Sequence, residues 1–302
     1  MLKLLDQFRS FYFRNHTEDM EALIGYFAVF GGLDIDVDMS KEISLLIKEL
    51  ILDDYEYINK EIEKLTLSQS NNKRLLYALA TGDRRIFSAF NKAGLNNANG
   101  GSALNFLQQK GVVTIEYSRE ESAKSLNKNI KLKREVARHR ISHKVLFTKP
   151  FIRFWFYFIV PHKQEILKYD YKNLFRDIDI KLNSYTSLVF EELSEILLNY
   201  HIRDSQILSS GSYWDAKVEL DILTITKDGK IYVAECKWKN HKINKKELHK
   251  IDDKCKMLGI EPTQIVFFSK RGFSKELISL QGKNLALYSV ADFKKLLRSS
   301  SF

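Results

Sequence analysis

The stretch 216–239, AKVELDILTITKDGKIYVAECKWK, decides how this 302-residue chain is read. Val218, Leu220, Ile222, Thr224 and Thr226 alternate with Lys217, Glu219, Asp221, Leu223 and Ile225, the period of two that a strand imposes. A second β-branched and aromatic run, Ile231 to Trp238, follows the turn segment Lys227 to Lys230. A two-residue loop of Asp228 and Gly229 would set Asp221 opposite Cys236. A three-residue loop, Lys227 to Gly229 with Gly229 left-handed in a bulge, sets Asp221 opposite Glu235 instead. The second register is the expectation. It gathers Glu219, Asp221, Glu235 and Lys237 at one end of a face that Leu223, Ile225, Ile231 and Val233 otherwise make apolar.

Carboxylates in near contact repel unless a cation lies between them, and hard oxygen ligands suit Mg²⁺ or Mn²⁺. Such an ion polarises a phosphodiester and acidifies a bound water. Lys237, two residues beyond Glu235, shares its face and can orient that water or offset developing charge. An isolated Glu-x-Lys is ordinarily a salt-bridged surface. Asp221 in register, within an apolar surround, is what points to chemistry.

The Asp221, Glu235, Lys237 pattern on a hairpin resembles the PD-(D/E)XK nuclease superfamily. More closely, Trp214 to Trp238 resembles the C-terminal domain attached to archaeal-type, AAA-related ATPases, the domain of unknown function 234. The resemblance implies Asp221 and Glu235 as metal ligands and Lys237 as the catalytic lysine. Phe190 and the glutamates after it resemble the first helix of that superfamily, whose glutamate leans toward the metal. The motif favours Glu191, whereas helical periodicity puts Glu192 nearer the buried face, so both stand as candidate ligands. Glu219 is expected to tune the site or add a ligand.

Hydrophobic residues make up 44% of the chain, enough for real cores. Two cysteines, Cys236 and Cys255, and no N-terminal apolar segment lead to the expectation of a reduced, cytoplasmic protein. The apolar run 151–160 is too short to span a bilayer and carries Arg153, so no membrane role is expected. The net charge of +10 is unevenly spread, with −7 over residues 1–70 and +12 over 71–170. A basic middle suggests a polyanion as partner.

Four segments follow from the pattern. Residues 1–70 read as helical, with a run from Asp19 to Val29 and one long helix, Ser40 to Leu67, capped by Ser40. The segment Tyr26 to Leu33 resembles the region following the ATPase core of the same family, with Asp34 where a proline is usual. No G-x-x-x-x-G-K-[ST] occurs, so the chain is not expected to hydrolyse ATP.

Residues 71–145 read as a winged helix-turn-helix. Its helices are Asn72 to Thr81, Arg85 to Phe90 and, after a glycine-rich turn, Ala103 to Lys110 capped by Ser102, and a strand from Val112 to Tyr117 opens the wing. Asn105, Gln108 and Lys110 on the third helix are candidate nucleic-acid contacts, as are Lys131, Lys133 and Arg134 in the basic stretch 119–149. Winged helices also dock proteins, so a partner surface is the alternative use. Residues 146–167 form an aromatic connecting helix. Residues 168–302 hold a helix from Ser184 to Tyr200, an edge strand within Ile207 to Trp214, the hairpin, a helix Asn244 to Leu258, and a strand Gln264 to Ser269 parallel to the second hairpin strand. The expected fold is therefore multidomain α+β or α/β, closing in an αββαβ nuclease-like core. The expected function is metal-dependent hydrolysis of DNA phosphodiesters. The alternative is an inactive nuclease-like adaptor for DNA or protein, working with a separate ATPase or regulatory protein.

Overall fold

A computed structural model describes residues 2–120 and 142–298 as a mixed α+β molecule. The first helices are α1 (Leu2–Arg14) and α2 (Met20–Phe30), the latter begun by Asp19, whose carboxylate accepts the Ala22 N–H at 3.0 Å. The single long helix expected from Ser40 to Leu67 is instead two. Helix α3 (Ile43–Ile47) widens into a π-turn over Lys48–Leu52, and α4 (Tyr55–Thr66) starts afresh after Asp53 and Asp54. Short acidic side chains compete with the backbone for hydrogen bonds, so two in succession favour a break. Ser40 does not cap, its hydroxyl being bonded to Asp38 at 2.6 Å.

Next come α5 (Ser70–Ala80), α6 (Ile86–Lys92) and α7 (Asn97–Gln109), then a two-stranded antiparallel pair, β1 (Val113–Glu116) and β2 (Lys144–Phe147). The glycine-rich turn expected before Ser102 is helical. Asn96 caps α7 by accepting the Asn99 N–H at 2.8 Å, and the helix runs through Gly100 and Gly101. Gly100 serves close approach: a Cβ there would lie 2.6 Å from the Phe90 ring. Lys131, Lys133 and Arg134, and the wing tip expected around them, lie outside the described residues.

Helix α8 (Pro150–Phe154) continues as a π-turn over Trp155–Ile159 and leads through α9 (Lys163–Ile166) to α10 (Lys172–His201). Phe154, Trp155, Phe156 and Phe158 are fully buried, as expected of an aromatic connector. At 30 residues, α10 begins well before the expected Ser184. The expected edge strand from Ile207 to Trp214 divides into β3 (Ile207–Ser209) and β4 (Tyr213–Trp214), and the latter pairs with β5 (Glu219–Leu220) in a small sheet of its own.

A five-stranded sheet completes the chain. Strands β6 (Ile222–Thr226), β7 (Ile231–Lys237), β8 (Gln264–Ser269) and β9 (Leu285–Ser289) join β3 in the order β3-β6-β7-β8-β9. Pairing is antiparallel from β3 through β7 and parallel from β7 through β9. Helix α11 (Lys245–Leu258) makes the β7–β8 crossover, and α12 (Lys275–Ser279) lies between β8 and β9. The closing helix expected from Ala291 to Leu297 is a 3₁₀ helix, Val290–Leu297, opened by a Ser289–Asp292 capping box.

Alternation along the strands builds two cores. Ile222, Ala234, Cys236, Val266 and Phe268 belong to a core with Val189, Phe190, Leu193 and Leu197 of α10, which extends without interruption into α1–α8. Leu223, Val233, Ile265 and Phe267 pack instead with Ile251 and Cys255 of α11. The sheet is thus buried on both faces, which is why β8 is apolar nearly throughout. Among the described residues no helix is long and apolar enough to cross a membrane.

Candidate active site

The hairpin turn fixes the geometry. The Gly229 N–H donates to the Thr226 carbonyl at 3.0 Å, the Thr226 N–H donates to the Lys230 carbonyl at 3.0 Å, and Gly229 has φ +81°. This three-residue loop sets Ile225 against Ile231, Leu223 against Val233 and Ile222 against Ala234. Extending that register by one residue puts Asp221 across from Glu235. Asp221 itself sits at the kink between β5 and β6, where its Oδ2 accepts the Cys236 N–H at 2.7 Å.

Glu235 is buried, 7% exposed, and both its oxygens are engaged. Oε1 accepts from Lys237 and Oε2 from Lys254 of α11 at 3.0 Å. The Lys237 ammonium also lies 3.8 Å from Glu247. Burial works against the charge of Lys237, but Glu235, Asp221 and Glu247 together hold its pKa above the ordinary value.

Asp221 is pushed up to about 8, chiefly by burial and then by the charges of Glu235 and Glu191, against the pull of the Cys236 N–H and of Lys237. Glu191, projecting from α10, is pushed up to about 7 by burial, while Arg84, Arg153 and Lys144 pull it down. Glu192 also rises to about 7 through burial, again against the pull of Arg84 and Arg153. The charge of Glu191 is among those that raise Asp221. Like charges gathered in a partly dry corner favour protonation, or a cation among them.

Glu219 is not part of that corner's hydrogen bonding. Its Oε1 is 2.6 Å from Lys144 of β2, its Oε2 is 3.5 Å from Arg85, and it is half-exposed. Asn105, Gln108 and Lys110 all lie exposed on one end of α7, distant in sequence from the carboxylates. Among the described residues no three His, Cys, Asp or Glu side chains stand close enough to form a ready-made metal cage.

Sequence reasoning missed Lys254, Lys144, Arg84 and Arg119. Lys254 left a faint signal, since it stands between the inward-facing Ile251 and Cys255 on α11. The other three come from the α5–β2 region, and no local pattern ties them to the hairpin.

Comparison with known proteins adds one sequence match. Residues 155–251 match the family model of domain of unknown function 234, described as archaea bacterial proteins of unknown function. The matched span holds Glu191, Glu192, Asp221, Glu235 and Lys237, and describes no activity for any of them. No curated protein matches the chain. Among solved structures, protein VC1899 from Vibrio cholerae is similar at 14% identity and a TM-score of 0.31, over 79% of this chain and 54% of that one. The chain thus spans about half the length of that protein, and a likeness so distant carries no argument.

Proposed function

We propose that this chain is a metal-dependent nuclease hydrolysing DNA phosphodiesters, with α5–α7 and the β1–β2 pair acting as a winged helix that docks nucleic acid. One observation carries the reading: Asp221 lies across from Glu235, and Lys237, two residues further along β7, is bonded to the Glu235 carboxylate. The order α10, β6, β7, α11, β8, with β7 and β8 parallel, supports it, being the αββαβ arrangement of the PD-(D/E)XK resemblance. The exposed polar end of α7 supports the docking role.

The donor set fits a hard divalent cation. Its ligands are carboxylate oxygens, and Asp221, pushed up first by burial and then by the charges of Glu235 and Glu191, is a group that a nearby cation would return to its ionised form. Bound Mg²⁺ or Mn²⁺ supplies charge neutralisation, a polarised phosphate and an acidified water. Asp221 and Glu235 would hold it, with Glu191 as the third carboxylate, and Glu235 would release Lys254 to do so. Glu192 shares with Glu191 its burial and the pull of Arg84 and Arg153, and stands as the alternative carboxylate from α10. Lys237 keeps its proton and presents N–H donors beside Glu235, where they orient the attacking water and offset charge on the phosphate.

The adaptor reading has an observation of its own. Lys237 and Lys254 already neutralise Glu235, as in a fold kept for binding alone. Incubating labelled DNA and RNA with Mg²⁺ or Mn²⁺ decides between them. The nuclease reading predicts cleavage by the unaltered protein and its loss in Asp221→Ala and Lys237→Ala. Salt-sensitive binding without cleavage by any form would establish the adaptor, with a separate ATPase or regulatory protein as its partner.

A further inference from the structure

Asp221 is bracketed by residues that the helical half of the chain holds in place. Two residues before it, the Glu219 carboxylate meets the Lys144 ammonium at 2.6 Å and Arg85 at 3.5 Å. Lys144 is 3% exposed and also lies 4.4 Å from the centre of the Trp214 ring, on the strand paired with Glu219. Trp214 is tied in turn to the same region, its indole N–H donating to the Ser142 carbonyl at 2.9 Å.

Two residues after Asp221, the Leu223 carbonyl accepts from the Arg119 guanidinium at 2.9 Å. Arg119 also donates to the carbonyls of Gly211 at 2.8 Å and Ser212 at 3.0 Å, and to the Ser209 hydroxyl at 3.3 Å. The Gly211 carbonyl accepts the Leu223 N–H at 2.8 Å, so one guanidinium straps β6 to the β3–β4 turn. Glu116, at the end of β1, fixes that turn again by accepting the Ser212 N–H and hydroxyl, each at 2.8 Å.

The two contacts that flank Asp221 most closely, Lys144 to Glu219 and Arg119 to Leu223, join groups 75 and 104 residues apart in the chain. They include a buried ammonium and a half-buried guanidinium, whose charge-assisted bonds are stronger and more directional than neutral ones. Asp221 lies between the two ladders, with its own backbone in neither β5 nor β6. Its placement therefore depends on what holds its neighbours.

We infer that Lys144 and Arg119 are positioning residues for Asp221, so that the β1–β2 unit completes the carboxylate site of the sheet. The inference rests on the nuclease reading only for what Asp221 does once placed. It follows that whatever moves the β1–β2 unit also moves Asp221, and that the sheet half severed from this unit holds its hairpin without holding the site.

The Cys236 amide reports directly on Asp221, because it donates to the Asp221 carboxylate at 2.7 Å. Amide exchange is measured by NMR on the full chain, unaltered and as Lys144→Met, Arg119→Gln and Glu219→Gln. The expected result is exchange at Cys236 faster by about fivefold or more, with the β8 amides of Val266 and Phe267 unchanged. Glu219→Gln alters one atom of a half-exposed side chain and decides the matter where Lys144→Met fails to fold. A change at Cys236 below about fivefold, or an equal acceleration across β8, would overturn the inference. Absence of cleavage by the unaltered protein would remove the nuclease reading and leave this exchange result standing. Unchanged Cys236 exchange in a protein that cleaves would do the reverse.

Discussion

Glu195 stands one turn beyond Glu191 on α10, 6% exposed, and its Oε1 has no hydrogen-bond partner among the described residues. Burial pushes its pKa from the usual 4.5 up to about 7. The folded chain thus keeps a proton that the unfolded chain gives up, and stability falls as pH rises between those two values. Glu192 acts in the same direction. Glu195→Gln removes one such loss. It should be more stable than the unaltered protein at pH 8, by on the order of 1–3 kcal/mol, and gain little near pH 4.5. Urea denaturation at both pH values checks this, and parallel pH dependences of the two proteins would refute it. At this scale the sequence was informative where chemistry follows from register. Asp221, Glu235 and Lys237 fall together because one turn dictates the pairing. Lys254, Lys144 and Arg119 were hidden because each reaches the site across tertiary space, from elements whose own patterns say nothing of the hairpin.

Among the elements, the hairpin turn bears most on the site. Gly229 holds φ +81° with nothing within 4 Å of where a Cβ would stand, so backbone conformation alone demands glycine there. Gly229→Val should lower stability by about 1–2 kcal/mol in urea denaturation, the penalty for a branched side chain in a left-handed conformation. A variant as stable as the parent would mean that the turn is not under this constraint. Elements were legible where period and punctuation agreed. Asn244, the inward positions of α11 and Gly259 mark that helix at both ends, and Gly259 is indeed the left-handed cap. They were illegible where punctuation misled. Gly100 and Gly101 read as a turn, yet Gly100 is helical because α7 presses on Phe90. The first turns of α10 went unread because their exposed polar residues blur the apolar stripe.

The whole molecule is organised by one core that runs from α1 through the connecting helix to one face of the sheet, with a second core beneath α11. Segments that read as separate in sequence therefore share a continuous interior, and polar straps from the β1–β2 unit reach the strand that carries Asp221. Charge follows the same plan, since the basic middle of the chain supplies the cations facing Glu191, Glu192 and Glu219. Single-turnover cleavage of labelled duplex DNA by Lys237→Ala, beside Mn²⁺ binding by the same protein, tests the central claim most directly. The account predicts that cleavage slows by about 100-fold or more while Mn²⁺ binding is not weakened, because Lys237 serves the reacting groups and, as a cation beside Glu235, does not hold the metal. Cleavage by Lys237→Ala at the parent rate, or none by the parent under any divalent metal, would contradict it.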